Sequence, residues 1–140
     1  MTEEKDQGEA PATVNAHGKH FLIVDDVDLN REYLRLLLEN TGAAVDEACT
    51  GDEAVRMFSR AQYDMVFMDI HMPVMNGYNS TMNIRALPFV SAYTTPIISV
   101  SAEFSLELQL KCKEVGMNDH LIKPVTEEAL AKIIRKWLPA

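Results

Sequence analysis

The sequence is short of cysteine, of positive charge and of long apolar runs, and each shortage removes a class of protein. Its two cysteines, Cys49 and Cys112, stand far apart with no metal-like spacing. That excludes a disulfide framework and a thiolate zinc site, and reads as two buried, reduced thiols. Thirteen Lys and Arg against 21 Asp and Glu leave a net charge of −8, the wrong sign for a nucleic-acid binder, which needs a basic patch for the phosphates. No apolar stretch approaches the roughly 18 to 20 residues of a membrane span. The first ten residues, MTEEKDQGEA, lack the apolar segment of a secretion signal. The reading is a cytoplasmic protein with neither membrane nor nucleic acid as a partner.

What is present suits one globular domain: 140 residues, 47% hydrophobic and 24% charged. Residues 1–18 form a polar stretch with Gly8, Pro11 and Gly18 and almost nothing to bury, so they are expected to be a disordered leader or linker, with the domain spanning 19–140. From Lys19 on, short apolar runs alternate with helical patterns. Strands are expected at Phe21–Val24, Ala44–Cys49, Asp64–Met68, Pro96–Val100 and Asp119–Ile122, each near-continuously apolar or bounded by turn residues. Between them come helices over 28–41 (Leu34, Leu37, Leu38 and Thr41 as its inner stripe), after the capping box Thr50-Gly51-Asp52-Glu53, from about Tyr78 to Ala86, and from Ser105 to Val115. Thr126 caps a last helix whose buried stripe is Leu130, Ile133, Ile134 and Trp137. The pattern is (βα)5, an α/β domain whose parallel sheet carries helices on both faces.

In such a sheet, function collects beyond the carboxyl ends of the strands. The residues found there are Asp25 and Asp26 after the first strand, Asp69 after the third, Ser101 after the fourth and Lys123 after the fifth. If strands 1 and 3 are neighbours, three carboxylates share one crevice. Like charges in a dry site repel, and Mg²⁺ with oxygen ligands relieves them. An aspartate faced by a cation, a hydroxyl and an ammonium has the parts of a phosphoryl-transfer site, where positioning and charge neutralisation do most of the catalysis. Asp69 would then be the covalent acceptor. Asp25 and Asp26 are also placed to favour the following helix's N-terminus, and the two roles are compatible.

Four segments in order, VDD (24–26), MDIHMPVMNG (68–77), IISVSA (97–102) and LIKP (121–124), resemble the receiver domains of response regulators and hybrid histidine kinases. The resemblance covers about residues 19 to 137. It implies a doubly wound, flavodoxin-like (CheY-like) fold of strand order 2-1-3-4-5 and makes Asp69 the phosphoacceptor. Asp25, Asp26, Asp69 and the backbone carbonyl of His71 become the Mg²⁺ shell, and Ser101 and Lys123 the switch hydroxyl and the phosphate-binding lysine. It also implies a cis Lys123-Pro124 bond. Asn30 and Tyr33, one turn apart on the first helix, and Pro124 fall where the family docks its phosphodonor, a sensor histidine kinase or a histidine phosphotransfer protein. A downstream protein partner would read the output, and the domain is no enzyme beyond transfer to and from itself.

Two positions depart from the family pattern. His120 stands where an aromatic switch residue is usual, and Ser99 replaces a small apolar residue two before the switch hydroxyl. His120 is expected to turn as the domain switches; the alternative is a half-exposed strand residue. Glu103 and the His71 side chain are candidates for controlling water access to the phosphoryl group. Other classes fit less well. A haloacid-dehalogenase-type phosphatase needs a second acid two residues after its nucleophile, where this chain has His71. A flavodoxin needs a Ser/Thr/Gly-rich loop where this chain has DDVD, and a phosphorylation-independent pseudo-receiver would not need all five site residues.

Overall fold

A computed structural model describes residues 14–139. The order of elements is β1 (His20–Val24), α1 (Asp28–Glu39), β2 (Ala44–Ala48), α2 (Gly51–Arg60), β3 (Met65–Asp69), α3 (Gly77–Arg85), α4 (Ser91–Thr94), β4 (Ile97–Ser101), α5 (Leu106–Val115), β5 (Asp119–Ile122) and α6 (Glu127–Trp137). All strands are parallel in the order β2-β1-β3-β4-β5. The expected α/β fold is the one observed.

The apolar runs are continuous because alternate residues serve different faces. Phe21, Ile23, Met65, Phe67, Ile98 and Val100 meet Leu34 and Leu38 of α1 and Leu130, Ile133 and Ile134 of α6. Leu22, Val24, Val66, Met68 and Ile97 meet Ala54 and Phe58 of α2, Ile84 of α3 and Leu108 of α5. The central strands bury both rows almost completely. At roughly 1.5–3 kcal/mol per fully buried large side chain, this double core supplies most of the driving force for folding.

Helix starts follow from side-chain acceptors. Thr50, Asn76, Ser105 and Thr126 each accept the amide three residues on. The capping box at Thr50 closes one residue early, since the Glu53 carboxylate takes the amide of Cys49 rather than that of Thr50. Gly116 ends α5 in the left-handed region at φ 102°, which a side chain would disfavour.

Several expectations need correction. Residues 14–18 belong to the packed domain: Ala16 is buried in the core and its amide donates to the Thr41 carbonyl at 2.7 Å. The rest of the expected leader, residues 1–13, lies outside the described residues. Cys49 is exposed, while Cys112 is buried. Trp137 is half-buried because its indole N–H reaches the Asp119 carboxylate at 2.9 Å. The four-residue α4 had no periodic signal. It is held by Arg85, whose guanidinium also reaches α5's end, donating to the carbonyls of Ala92, Thr95 and Gly116 and to the Asn118 side chain. No carboxylate is among those partners, and burial lowers the Arg85 pKa.

Candidate functional site

Asp25 lies just beyond β1, Asp69 ends β3 and Ser101 ends β4, with Lys123 just past β5. Pairing of β1 with β3 and of β3 with β4 therefore brings them to one edge of the sheet. Oxygens of Asp25, Asp26 and Asp69 lie within 4.8 Å of one another. Asp25 and Asp69 are buried, whereas Asp26 is exposed. The Lys123 ammonium spans the two buried acids, 3.1 Å from Asp25 and 3.2 Å from Asp69.

The electrostatics follow from that placement. Burial raises the Asp69 pKa, the Asp25 charge raises it further, and Lys123 opposes both. Burial works against the Lys123 ammonium, but Asp69 and Asp25 outweigh it and hold its pKa above the ordinary value. One lysine thus only partly compensates three acids. The donor set, all carboxylate oxygen and partly open to water, fits a hard divalent cation that keeps several water ligands.

Neighbouring groups position these acids. The other Asp25 oxygen accepts the Val27 amide at 2.9 Å, so Asp25 steadies the entry to α1, whose N-cap, Val27, has no side-chain acceptor of its own. Arg31 donates to the Asp25 backbone carbonyl at 2.7 Å and to Glu47 of β2 at 2.9 Å. Glu47, though half-buried, has a lowered pKa because Arg35 and Arg31 outweigh its burial. Beneath Asp69, α3 begins so close that a Cβ on Gly77 would sit 2.2 Å from the Asp69 carbonyl oxygen. The intervening loop carries Val74 at φ 67°, fully exposed, a conformation that β-branched residues rarely adopt. Arg31 and Glu47 were not legible as site residues, since nothing in their spacing ties them to Asp25.

The remaining expected residues fall as follows. Ser101 is buried and its hydroxyl oxygen accepts the Glu103 amide at 3.0 Å. The His71 side chain is exposed, 3.5 Å from the Glu103 carboxylate across the mouth of the site. The Lys123-Pro124 bond is cis. Asn30 lies 3.5 Å from Asp25, and the Tyr33 hydroxyl donates to the Val125 carbonyl. Asn30, Tyr33 and Pro124 line, with the exposed Leu29, a groove of about 590 Å³ that runs up to Asp25 and Lys123. His120 bonds Ser99 and the Glu103 carbonyl; the two departures from the family pattern touch each other.

Comparison with known proteins gives this arrangement a context. The profile of the response regulator receiver domain matches residues 21–135. The chain is 35% identical over 125 residues to the peroxide stress-activated histidine kinase mak2 of Schizosaccharomyces pombe, covering 86% of this chain but only 5% of that protein. The receiver domain of a sensor histidine kinase from Pseudomonas aeruginosa, with a magnesium ion coordinated in its active-site cleft, superposes with a TM-score of 0.80 at 32% identity, covering 88% of this chain and 99% of that one. A third likeness is the receiver domain of the Saccharomyces cerevisiae response regulator Ssk1, crystallised with the histidine phosphotransfer protein Ypd1, with a TM-score of 0.76, 28% identity, and coverage of 85% and 88%. With its fold, its acidic crevice and a profile match over most of its length, the chain belongs to the response regulator receiver domain family of two-component signalling.

Proposed function

We propose that Asp69 is the phosphoacceptor of this receiver and that Mg²⁺, held by Asp25, Asp26, Asp69 and the His71 carbonyl, is its cofactor. The observation that carries the proposal is the Lys123 ammonium set between Asp25 and Asp69 within 3.2 Å of both, beside a third carboxylate. The cation would neutralise the acids and the incoming phosphoryl oxygens. A side-chain oxygen of Asp69 attacks the phosphorus of a partner's phosphohistidine. The P–N bond breaks, the imidazole leaves with the bonding electron pair, and an acyl phosphate remains on Asp69. Lys123 exchanges its contact with the Asp69 carboxylate for a phosphoryl oxygen, and the Ser101 hydroxyl donates to another. Water later cleaves the acyl phosphate, and the side chains of His71 and Glu103, facing each other at the mouth, stand in its path.

The phosphodonor, a sensor histidine kinase or a histidine phosphotransfer protein, would seat a helix in the groove of Leu29, Asn30, Tyr33 and Pro124. A downstream protein partner reads the phosphorylated state, without nucleic acid or membrane. A cytoplasmic setting goes with this reading; among the described residues no helix is long and apolar enough to cross a membrane. The chain spans 5–15% of the curated relatives it matches, so whether it acts alone or inside a larger kinase belongs to the proposal too.

The test is phosphorylation by a small phosphoramidate donor, followed by intact-protein mass spectrometry. Wild type should take up one phosphoryl group in Mg²⁺, labile to base and to hydroxylamine as an acyl phosphate is, and Asp69→Asn or wild type in EDTA should take up none. Equal labelling of Asp69→Asn would assign the acceptor elsewhere.

A further inference from the structure

Charge is spread unevenly along this chain. Charged residues make up 24% of it, so a span of 33 residues would hold about eight, yet residues 70–102 hold one, Arg85. That span builds α3 and α4, which pack on each other. Arg85 is turned inward, its guanidinium taken up by the carbonyls of Ala92, Thr95 and Gly116 and by the Asn118 side chain. The outward side chains of both helices are therefore uncharged. On α3 they include Asn79, Met82 and Asn83, which share one side of the helix. Around α4 they are Phe89, Val90 and Tyr93, the last two each 68% exposed. Phe89 and Val90 also wall, with Phe58 and Ala61 at the end of α2, a groove of about 370 Å³ whose rim carries Arg60. The Arg85 hydrogen bonds fix the four-residue α4, so its apolar side chains are held in place and little order has to be gained on contact.

A surface depleted of charge and rich in aromatic and methionine side chains has the composition of an interface core. The partner it fits follows from the rest of the molecule. Two copies, each of net charge −8, repel wherever acidic faces meet. The other exposed apolar residues on helices stand among charges, Leu29 and Leu36 of α1 beside Glu32, and Leu106 and Leu110 of α5 beside Glu107 and Lys111. On the α3–α4 face no carboxylate has to be buried. Its polar groups, the Asn79 and Asn83 amides and the Tyr93 hydroxyl, both donate and accept. They therefore complement their own copies across a two-fold axis, which a carboxylate does not. We propose that the α3–α4 face, centred on Val90 and Tyr93, is a self-association surface that takes a second copy of this chain about a two-fold axis.

The sheet separates this face from the groove proposed for the phosphodonor. α1 and α6 cover one side of the sheet, and α2, α3 and α5 cover the other. A dimer built on α3 and α4 thus leaves the groove of Leu29, Asn30 and Tyr33 open, and it does not rest on the chemistry at Asp69. Its salt dependence has a definite sign. Salt screens the repulsion between two acidic molecules and strengthens apolar contact, so association through an uncharged face tightens as salt rises. Association through ion pairs weakens instead.

Sedimentation equilibrium of the full chain from about 10 μM to 1 mM tests the surface with wild type, Tyr93→Lys, Val90→Glu and Leu110→Lys. A reducing buffer keeps the exposed Cys49 from cross-linking copies. So few anchors should give wild type a dissociation constant on the order of 100 μM. Raising NaCl from about 0.05 to 0.5 M should tighten it roughly threefold or more. Tyr93→Lys and Val90→Glu should each weaken the dimer by about tenfold or more, because both set like charges against each other across the axis. They do so although one lowers the net negative charge and the other raises it, and both replace side chains that are mostly exposed. Leu110→Lys, on α5, should associate as wild type does. A monomer over the whole range at 0.5 M NaCl, a dimer weakened by salt, or a dimer kept in Tyr93→Lys and lost in Leu110→Lys would each overturn the proposal.

Discussion

Replacing Asp69 by Asn should stabilise this protein in the absence of metal, although the side chain is buried at the centre of the proposed site. With an effective dielectric of about 20, repulsion between Asp69 and Asp25 at the 4.8 Å limit of the cluster is about 3.5 kcal/mol. Attraction to Lys123 at 3.2 Å is about 5 kcal/mol. Asp26 is exposed, and water screens most of its share. These charge interactions leave a net attraction of about 1.5 kcal/mol, which is outweighed by the cost of keeping a carboxylate out of water, several kcal/mol for an ion and much less for an amide. The same ranking is seen in Asp69's raised pKa, where burial is the largest cause. Allowing for the amide's own imperfect hydrogen bonding, the net gain should be about 2 kcal/mol.

Urea unfolding in EDTA at pH 7 should then show the Asp69→Asn midpoint higher by about 1 M. Two controls bear on the cause. Because the folded-state pKa of Asp69 is raised, its ionisation destabilises the fold at neutral pH. The penalty disappears as pH falls through the raised value toward the unfolded one, so the gap between variant and wild type should narrow toward pH 4. Added Mg²⁺ at ten times its dissociation constant should stabilise wild type by about 1.4 kcal/mol and the variant by much less. A variant no more stable than wild type in EDTA, or an equal Mg²⁺ effect on both, would refute the electrostatic account.

Two further predictions concern the loop between β3 and α3 and the first residue of α3. Val74→Asn should raise stability by about 1 kcal/mol in urea unfolding, because the left-handed backbone at φ 67° suits asparagine and the exposed valine side chain loses no packing. Gly77→Ala should lower stability by about 2–3 kcal/mol and weaken Mg²⁺ binding measured by calorimetry, since the added methyl meets the Asp69 carbonyl oxygen at 2.2 Å and must displace the acid. Unchanged Mg²⁺ affinity in Gly77→Ala would show that α3 does not set the position of Asp69.

The sequence by itself determined the α/β class, the strand positions to within a residue or two, the N-caps Thr50 and Thr126 and the five polar residues at strand ends. It could do so because these are local matters: period-two and period-3.6 patterns, cap acceptors and turn residues act within a few positions of one another. Only the tertiary structure decided what those residues face. Lys123 meets Asp25 across 98 positions of chain, and Arg31 and Glu47 steady the Asp25 backbone from two different elements. Ala16, in a stretch too polar to look folded, is buried because Thr41 offers its amide a partner. The arginine that organises α4 has no local signature, since its acceptors are backbone carbonyls on separate segments. Ser99 and His120 read singly as two oddities. They become one hydrogen-bonded unit because β4 and β5 pair in register at those two residues, and register between distant strands is set by the packing of the whole sheet.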